Sequence, residues 1–276
     1  MDQHLQAKKL HRDIFKAGSK TYFNSSLFFP KNVRDEVFIL YAFVRVADNY
    51  VDSVPQDAEG FARFRESYLR GISGEVTGDP VIDSFVELAE LRKFDPRWTE
   101  AFFNSMEMDL HKKNYNSLQE TLEYIYGSAE VIGLFMARIM GLLPEADHAA
   151  CLLGRSMQYI NFIRDIAEDN SLGRRYLPLE DSGLDSLAEG ETRSKPEHFL
   201  NFMKQQTRRY KEWQKGAETG YALIPRRYRV PIKTAGDMYT WSAKIIEKDP
   251  FIVYQRKVKP SRLRIVSSIA VNILRA

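Results

Sequence analysis

The sequence predicts an all-α protein: one helical domain spanning residues 1–276, wrapped around a deep apolar cavity. Three observations carry the fold class. Apolar residues recur at 3.6-residue spacing along most of the chain. Strand signals are poor, with few alternating Val, Ile or Thr runs and no Asn-Gly or Asp-Gly hairpin turn. No internal repeat or low-complexity linker divides the chain, and 276 residues suffice to bury a sizeable core. A hydrophobic content of 44% with 28% charged residues excludes a disordered chain.

The clearest helix runs over 33–52, with apolar residues at 33, 37, 40, 41, 44 and 47 between the boundary signals Pro30 and Pro55. Further helices are expected over 57–72, 80–93, 97–113, 118–142, 145–170, 195–222 and 233–248, with a last one near 260–275. The third-last gap, 171–194, is rich in Gly, Ser and acids and reads as a functional loop. Gly133, Ala137 and Gly141 form a ridge of small residues, which points to close helix packing or to the bare wall of a pocket.

No run reaches the ~18 to 20 apolar residues of a membrane span, and MDQHLQAKKLHRD has no apolar signal core. A cytoplasmic location is expected. The lone Cys151 excludes a disulfide framework and a cysteine metal site. Net charge is +3 but uneven: residues 201–276 hold 17 Lys or Arg against 5 Asp or Glu. Such an end suits anionic lipid, nucleic acid or a phosphorylated small molecule, or is simply a solvated basic face. Its apolar partners, Ile265, Val266, Ile269, Val271, Ile273 and Leu274, favour packing or membrane contact over nucleic acid.

The stretch RVADNYVD, 45–52, ends an otherwise apolar helix in Arg45, Asp48 and Asp52. Asp48 and Asp52 share a face one turn apart, a like-charge pair that burial makes costly. A second stripe, QYINFIRDIAED at 158–169, puts Asn161, Asp165 and Asp169 at i, i+4 and i+8, with Gln158 and Arg164 beside them. Its neighbours Tyr159, Ile160, Phe162 and Ile163 are apolar, so this helix is also expected to be buried. Buried carboxylates need partners, and the arginines are too few to balance them. Hard oxygen ligands point to Mg²⁺ rather than zinc, and Mg²⁺ brings phosphates with it. A metal-bound diphosphate beside a greasy cavity suggests a prenyl diphosphate, whose ionisation needs metals and arginines at the leaving group and a dry, aromatic pocket for the cation.

With those residues in view, the sequence resembles the squalene and phytoene synthase family. The resemblance is carried in order by GSKTYFNSSLFFP (18–30), YAFVRVADNYVD (41–52), ETLEYIYGSAEVIG (120–133), MQYINFIRDIAEDNSLGRRYLP (157–178) and VYQRKV (253–258). It implies that Asp48 and Asp52 bind Mg²⁺ on one substrate's diphosphate, and that Asn161, Asp165 and Asp169 bind it on the other side. Ser19, Lys20, Thr21, Arg45, Arg164, Arg174 and Arg256 would contact diphosphate oxygens. Tyr41, Tyr124 and Tyr239 would line the reacting centre. The sequence departs from the family pattern at Thr21, where Ser is common, and at Asn49, where a second Asp is common; the Asp48, Asp52 pair is kept.

The implied reaction joins two prenyl diphosphates head to head through a cyclopropyl diphosphate. Ser26, two turns beyond Ser19 on the same face, leaves depth for a C20 tail, which favours two geranylgeranyl diphosphates giving phytoene. The alternatives are a C30 product from farnesyl diphosphate and, further off, a terpene cyclase. The implied cofactor is Mg²⁺, or Mn²⁺ in its place. No glycine-rich dinucleotide fingerprint is present, and NADPH is not favoured. Prenyl diphosphates and a membrane surface that receives the product are the expected partners.

Overall fold

The computed structural model describes residues 2–275, with the side chains at 2, 3, 20–22 and 275 outside the described set. Among the described residues no strand forms, and one isolated parallel bridge pairs Asn114 with Arg175. The α-helices follow in this order: α1 (Asp2–Gly18), α2 (Lys20–Ser26), α3 (Lys31–Asp52), α4 (Ala58–Ile72), α5 (Pro80–Arg92), α6 (Pro96–His111), α7 (Leu118–Ile125), α8 (Val131–Ile139), α9 (Asp147–Arg164), α10 (Ile166–Ser171), α11 (Glu189–Ser194), α12 (Pro196–Glu218), α13 (Arg226–Lys248), α14 (Ile252–Gln255) and α15 (Arg262–Arg275). Side-chain caps start several of them. Asp79 accepts from the Val81 and Ile82 N–H groups and Asp95 from Arg97, each just before a proline that opens the helix.

Two apolar clusters build the core. Around α3, Phe43 is fully buried and stacks on Phe85 at 3.7 Å, with Phe102 and Phe103 behind it. Around α9 and α12, Tyr159, Ile160, Phe199 and Tyr210 are buried. The cavity that carries the site lies between these clusters. Helix α9 comes very close to α8 and the turn before it. A Cβ on Gly133 would lie 2.3 Å from the Ala150 carbonyl oxygen, and one on Gly154 would lie 2.3 Å from that of Ala129. Gly133 and Ala137 also line the cavity, so both readings of the small-residue ridge apply there, while Gly141 sits past the helix end at φ +70°.

The structure differs from the sequence reading at five places. The helix expected over 118–142 is interrupted by a π-turn at Tyr126–Glu130. The one expected over 145–170 breaks at Asp165, whose φ and ψ are −100° and 16°. Helix α13 starts at Arg226 rather than 233 and carries Pro231 in its second turn, where only one first-turn carbonyl loses its partner. The loop 171–194 contains α11, and residues 2–18 form α1. Each miss is local backbone geometry that a period count does not register.

Candidate active site

The C-terminal halves of α3 and α9, which carry the acidic stripes, border the same space. There a cleft of about 790 Å³ is lined by Ser19, Tyr41, Arg45, Asp48, Tyr124, Asn161, Arg164, Tyr239 and Lys257, among others. It shares Tyr41, Val44, Ser128, Gln158 and Asn161 with a second, largely apolar cavity of about 330 Å³. That cavity follows α9 from Asn161 back to Ala146, fifteen positions, or about 22 Å at the helical rise. Its walls are small or apolar: Gly133, Ala137, Ala150, Leu153, Gly154 and Ala217, with Phe29, Leu142 and Ile224 also in the lining. Ser26 lines it too, with its hydroxyl turned back to the Phe23 carbonyl at 2.7 Å.

The mouth is a web of opposed charges. Arg45 donates to Asp48 at 2.6 Å, and Arg164 grips Asp165 through both Nε and Nη2 at 2.8 and 2.5 Å. Arg174 reaches across from the tail of the second motif to Asp52 at 2.8 Å and to the Val51 carbonyl at 2.9 Å. Lys257 pairs with Glu168 and lies 3.3 Å from Asp165. Burial and the neighbouring Asp52 push the Asp48 carboxyl up to about 7. Burial, with Asp165 and Glu168 alongside, pushes Asp169 up to about 8. The break at Asp165 means that Asn161, Asp165 and Asp169 do not lie on one straight helical face.

Tyr41 stacks on Phe15 with ring centroids 3.8 Å apart, and burial raises its hydroxyl. The end of α1 fits against it only because residue 18 is glycine: a Cβ there would lie 2.5 Å from the Tyr41 oxygen. Tyr239 is buried in the wall of the cleft. The side chains of Lys20 and Thr21 lie outside the described residues. Arg256 is exposed and stands outside the lining of the cleft, to which Lys257 and Lys259 contribute. Helix α14 ends at Gln255 and Arg256 is extended (φ −163°, ψ 151°), so successive side chains alternate sides: Val258 is buried, and Lys257 and Lys259 on either side of it border the cleft.

Asp109, which the sequence reading did not single out, lies beneath the site. Asp109 is buried on α6 and accepts from the hydroxyls of Tyr124 and Tyr176, each at 2.7 Å. Burial raises its carboxyl to about 6 despite those two donors. Its signal was an acid inside the apolar run around Met106 and Met108. Ser128 was missed as well. It sits in the π-turn where cleft and cavity meet, and its buried Oγ has no protein partner.

The donor set suits a hard divalent cation. The Asn161 Oδ1 is buried without a protein partner, and Asp48 and Asp169 stay strained for want of positive charge. Among the described residues no three His, Cys, Asp or Glu side chains cluster as a closed metal cage. Mg²⁺ in general takes one or two carboxylates and completes its shell with water and phosphate oxygens.

A family model described as squalene/phytoene synthase matches residues 15–264. The 15-cis-phytoene synthase of Enterobacter agglomerans is 31% identical over 238 residues, covering 80% of this chain and 80% of that one. That of Pantoea ananas is 29% identical over 239 residues, covering 80% and 76%. A solved dehydrosqualene synthase, in complex with a ligand, shares the fold at a TM-score of 0.87 and 21% identity, over 98% of this chain and 96% of that one. Squalene synthase from Alicyclobacillus acidocaldarius follows at a TM-score of 0.80 and 19% identity, over 89% and 95%.

Proposed function

The chain belongs to the squalene/phytoene synthase family, and from that premise we propose that it joins two molecules of geranylgeranyl diphosphate head to head, releasing diphosphate and giving phytoene. The observation that carries the reading is the junction of a charged mouth with an apolar cavity long enough for an extended C20 chain. A C15 chain would stop short of Ala146. The relatives named above as phytoene synthases favour the C20 reading, whereas the two solved neighbours are C30 enzymes, so the farnesyl reading remains the alternative.

Arg45, Arg164, Arg174 and Lys257 would hold diphosphate oxygens, and Ser19 would add a hydroxyl at the end of α1. Asp48, Asp52, Asn161, Asp165 and Asp169 would hold Mg²⁺, which when bound neutralises charge on the departing diphosphate. Tyr41, Tyr124 and Tyr239 would face the allylic cation with aromatic surface. Tyr124, whose proton is held toward Asp109, would keep a fixed orientation there. The apolar cavity excludes water, so proton loss ends the reaction rather than capture by hydroxide. Peripheral contact with a membrane would receive the product; no helix among the described residues is long and apolar enough to cross one.

The test is purified protein with Mg²⁺ and either geranylgeranyl or farnesyl diphosphate, each with and without NADPH, read by mass spectrometry. Phytoene from the C20 substrate without NADPH is expected. A C30 product would overturn the chain length, and no product from either substrate would overturn the catalytic reading.

A further inference from the structure

The apolar cavity ends far from the charged mouth, where the chain turns three times. The α2–α3 connector, the α8–α9 connector and the α12–α13 connector all contribute lining residues to that end: Phe29, Leu142 and Ile224. The connectors are knit together. The Phe29 ring lies 6.4 Å from that of Tyr228, and Gly220 packs so tightly on Ala149 that a Cβ would come within 2.3 Å. Next to each lining residue the chain leaves a large apolar side chain in solvent. Leu27 and Phe28 are 42% and 47% exposed, Leu143 is 71% exposed and Leu223 is 49% exposed. Single exposed leucines are ordinary. Three connectors placing them around one cavity end are a patch, and patches mark interaction sites.

The unpaired charge around the patch is mainly basic. Lys31, Arg226 and Arg227 are exposed there, and none forms an ion pair among the described residues. The acids nearby are already engaged: Asp35 with Lys8, Glu36 with Arg92 and Asp147 with Arg138, which leaves Glu145. Exposed apolar side chains flanked by unpaired basic ones match an anionic lipid interface.

We propose that the tail end of the cavity is a docking surface for an anionic bilayer, through which the hydrocarbon product passes from protein to lipid. This rests on the reading of the product as a long hydrocarbon. It places the membrane opposite the mouth, so diphosphates exchange with water at one end while the product leaves at the other.

The full chain is floated with vesicles of phosphatidylcholine alone or of phosphatidylcholine and phosphatidylglycerol in equal parts. Strong flotation is expected only with the anionic vesicles. The pair Phe28→Asp, Leu223→Asp should abolish it. The pair Arg226→Glu, Arg227→Glu should weaken binding to anionic vesicles at least ~25-fold, from about fivefold per basic side chain. Both pairs should keep wild-type condensation activity in detergent micelles, since none of these residues lies in the charged mouth. Failure of the wild-type chain to float with either vesicle would overturn the proposal. So would flotation that survives both pairs but is lost on Leu263→Asp, Val266→Asp, since that would put the lipid on the outer face of α15. Flotation needs no turnover, so an inactive wild-type chain would count against the proposed reaction while leaving the surface tested on its own.

Discussion

The two ends of the cavity are built on opposite plans. At the mouth, charges sit on buried helices and face one another: Arg45 with Asp48, Arg164 with Asp165, Arg174 with Asp52 and Lys257 with Glu168. At the tail end, Lys31, Arg226 and Arg227 stand exposed in the first turns of α3 and α13, close in sequence to Phe28 and Leu223. Carboxylates crowd one another under burial at the mouth, while at the tail end the unpaired charges are basic, exposed and well separated from the acids. Substitutions at the first should therefore alter chemistry, and those at the second only where the protein goes.

The comparison is strongest at the acids. Asp52→Asn and Asp169→Asn should each lower kcat/KM about 10²–10³-fold, the usual loss when one group that stabilises transition-state charge is removed. Asp169→Asn should leave the thermal midpoint close to wild type, because it removes a crowded charge, whereas Asp52→Asn also takes away the ion-pair partner of Arg174 and should lower it. Phe28→Asp should leave kcat/KM in detergent unchanged. Equal losses from Phe28→Asp and Asp169→Asn would break the division between the ends.

Asp109 sharpens it, because its effect is on stability. In the unfolded chain its carboxyl titrates near 4, and burial raises it to about 6 in the folded protein. The folded state thus holds the proton more tightly. The stability this confers is complete below about 4 and is lost as pH rises through 6, on the order of 3 kcal/mol for this group. Denaturant unfolding of the metal-free chain from pH 4 to pH 8 should show stability falling across that window. Asp109→Asn should remove that part of the slope, and no substitution at the tail end should touch it.

Much of the mouth was legible because its signal is chemical. Acids at i, i+4 inside apolar helices need partners whatever the fold, so Asp48, Asp52, Asn161, Asp165 and Asp169 could be picked out together as candidates. Asp109 was not, since a single acid in a helix has many ordinary explanations, and its two tyrosine partners come from residues 124 and 176. That Lys257 and Lys259 border the cleft depends on the extended backbone after a four-residue helix, which the sequence does not show. The tail end was illegible for a different reason. Leu27, Leu143 and Leu223 lie on separate connectors, and only the packing of α2, α9 and α13 brings them together.

Ser26 tests the tail end from inside. It is 3% exposed and lines the apolar cavity, so Ser26→Phe should shorten the usable depth. The ratio of C20 to C15 substrate use should fall about tenfold, within the 1–3 kcal/mol that a hydrophobic pocket yields per small change in size. Competition between the two substrates, read by product mass, measures it. Stability should change little, because the ring would occupy existing space. An unchanged ratio would mean that the chain end lies elsewhere.

The smallest effect is expected at the neck, where the two plans meet. Ser128 lines both spaces, and its hydroxyl is buried without a protein partner. Its position depends on the π-turn, a geometry that recurs at functional sites. The turn is pinned by Gly127, where a Cβ would lie 2.0 Å from the Ala101 carbonyl oxygen, and by the Ser105 hydroxyl donating to the Tyr124 carbonyl at 2.9 Å. An unpartnered buried hydroxyl costs about 1–3 kcal/mol, so Ser128→Ala should hold or slightly raise the thermal midpoint of the free protein. If the hydroxyl belongs to the mouth and meets the substrate where diphosphate joins chain, kcat should fall severalfold with KM nearly unchanged. If it belongs to the tail cavity, removing a polar atom from an apolar wall should leave kcat intact and tighten substrate binding. The two outcomes have opposite signs, so this one substitution locates the boundary between the charged and the apolar halves of the site.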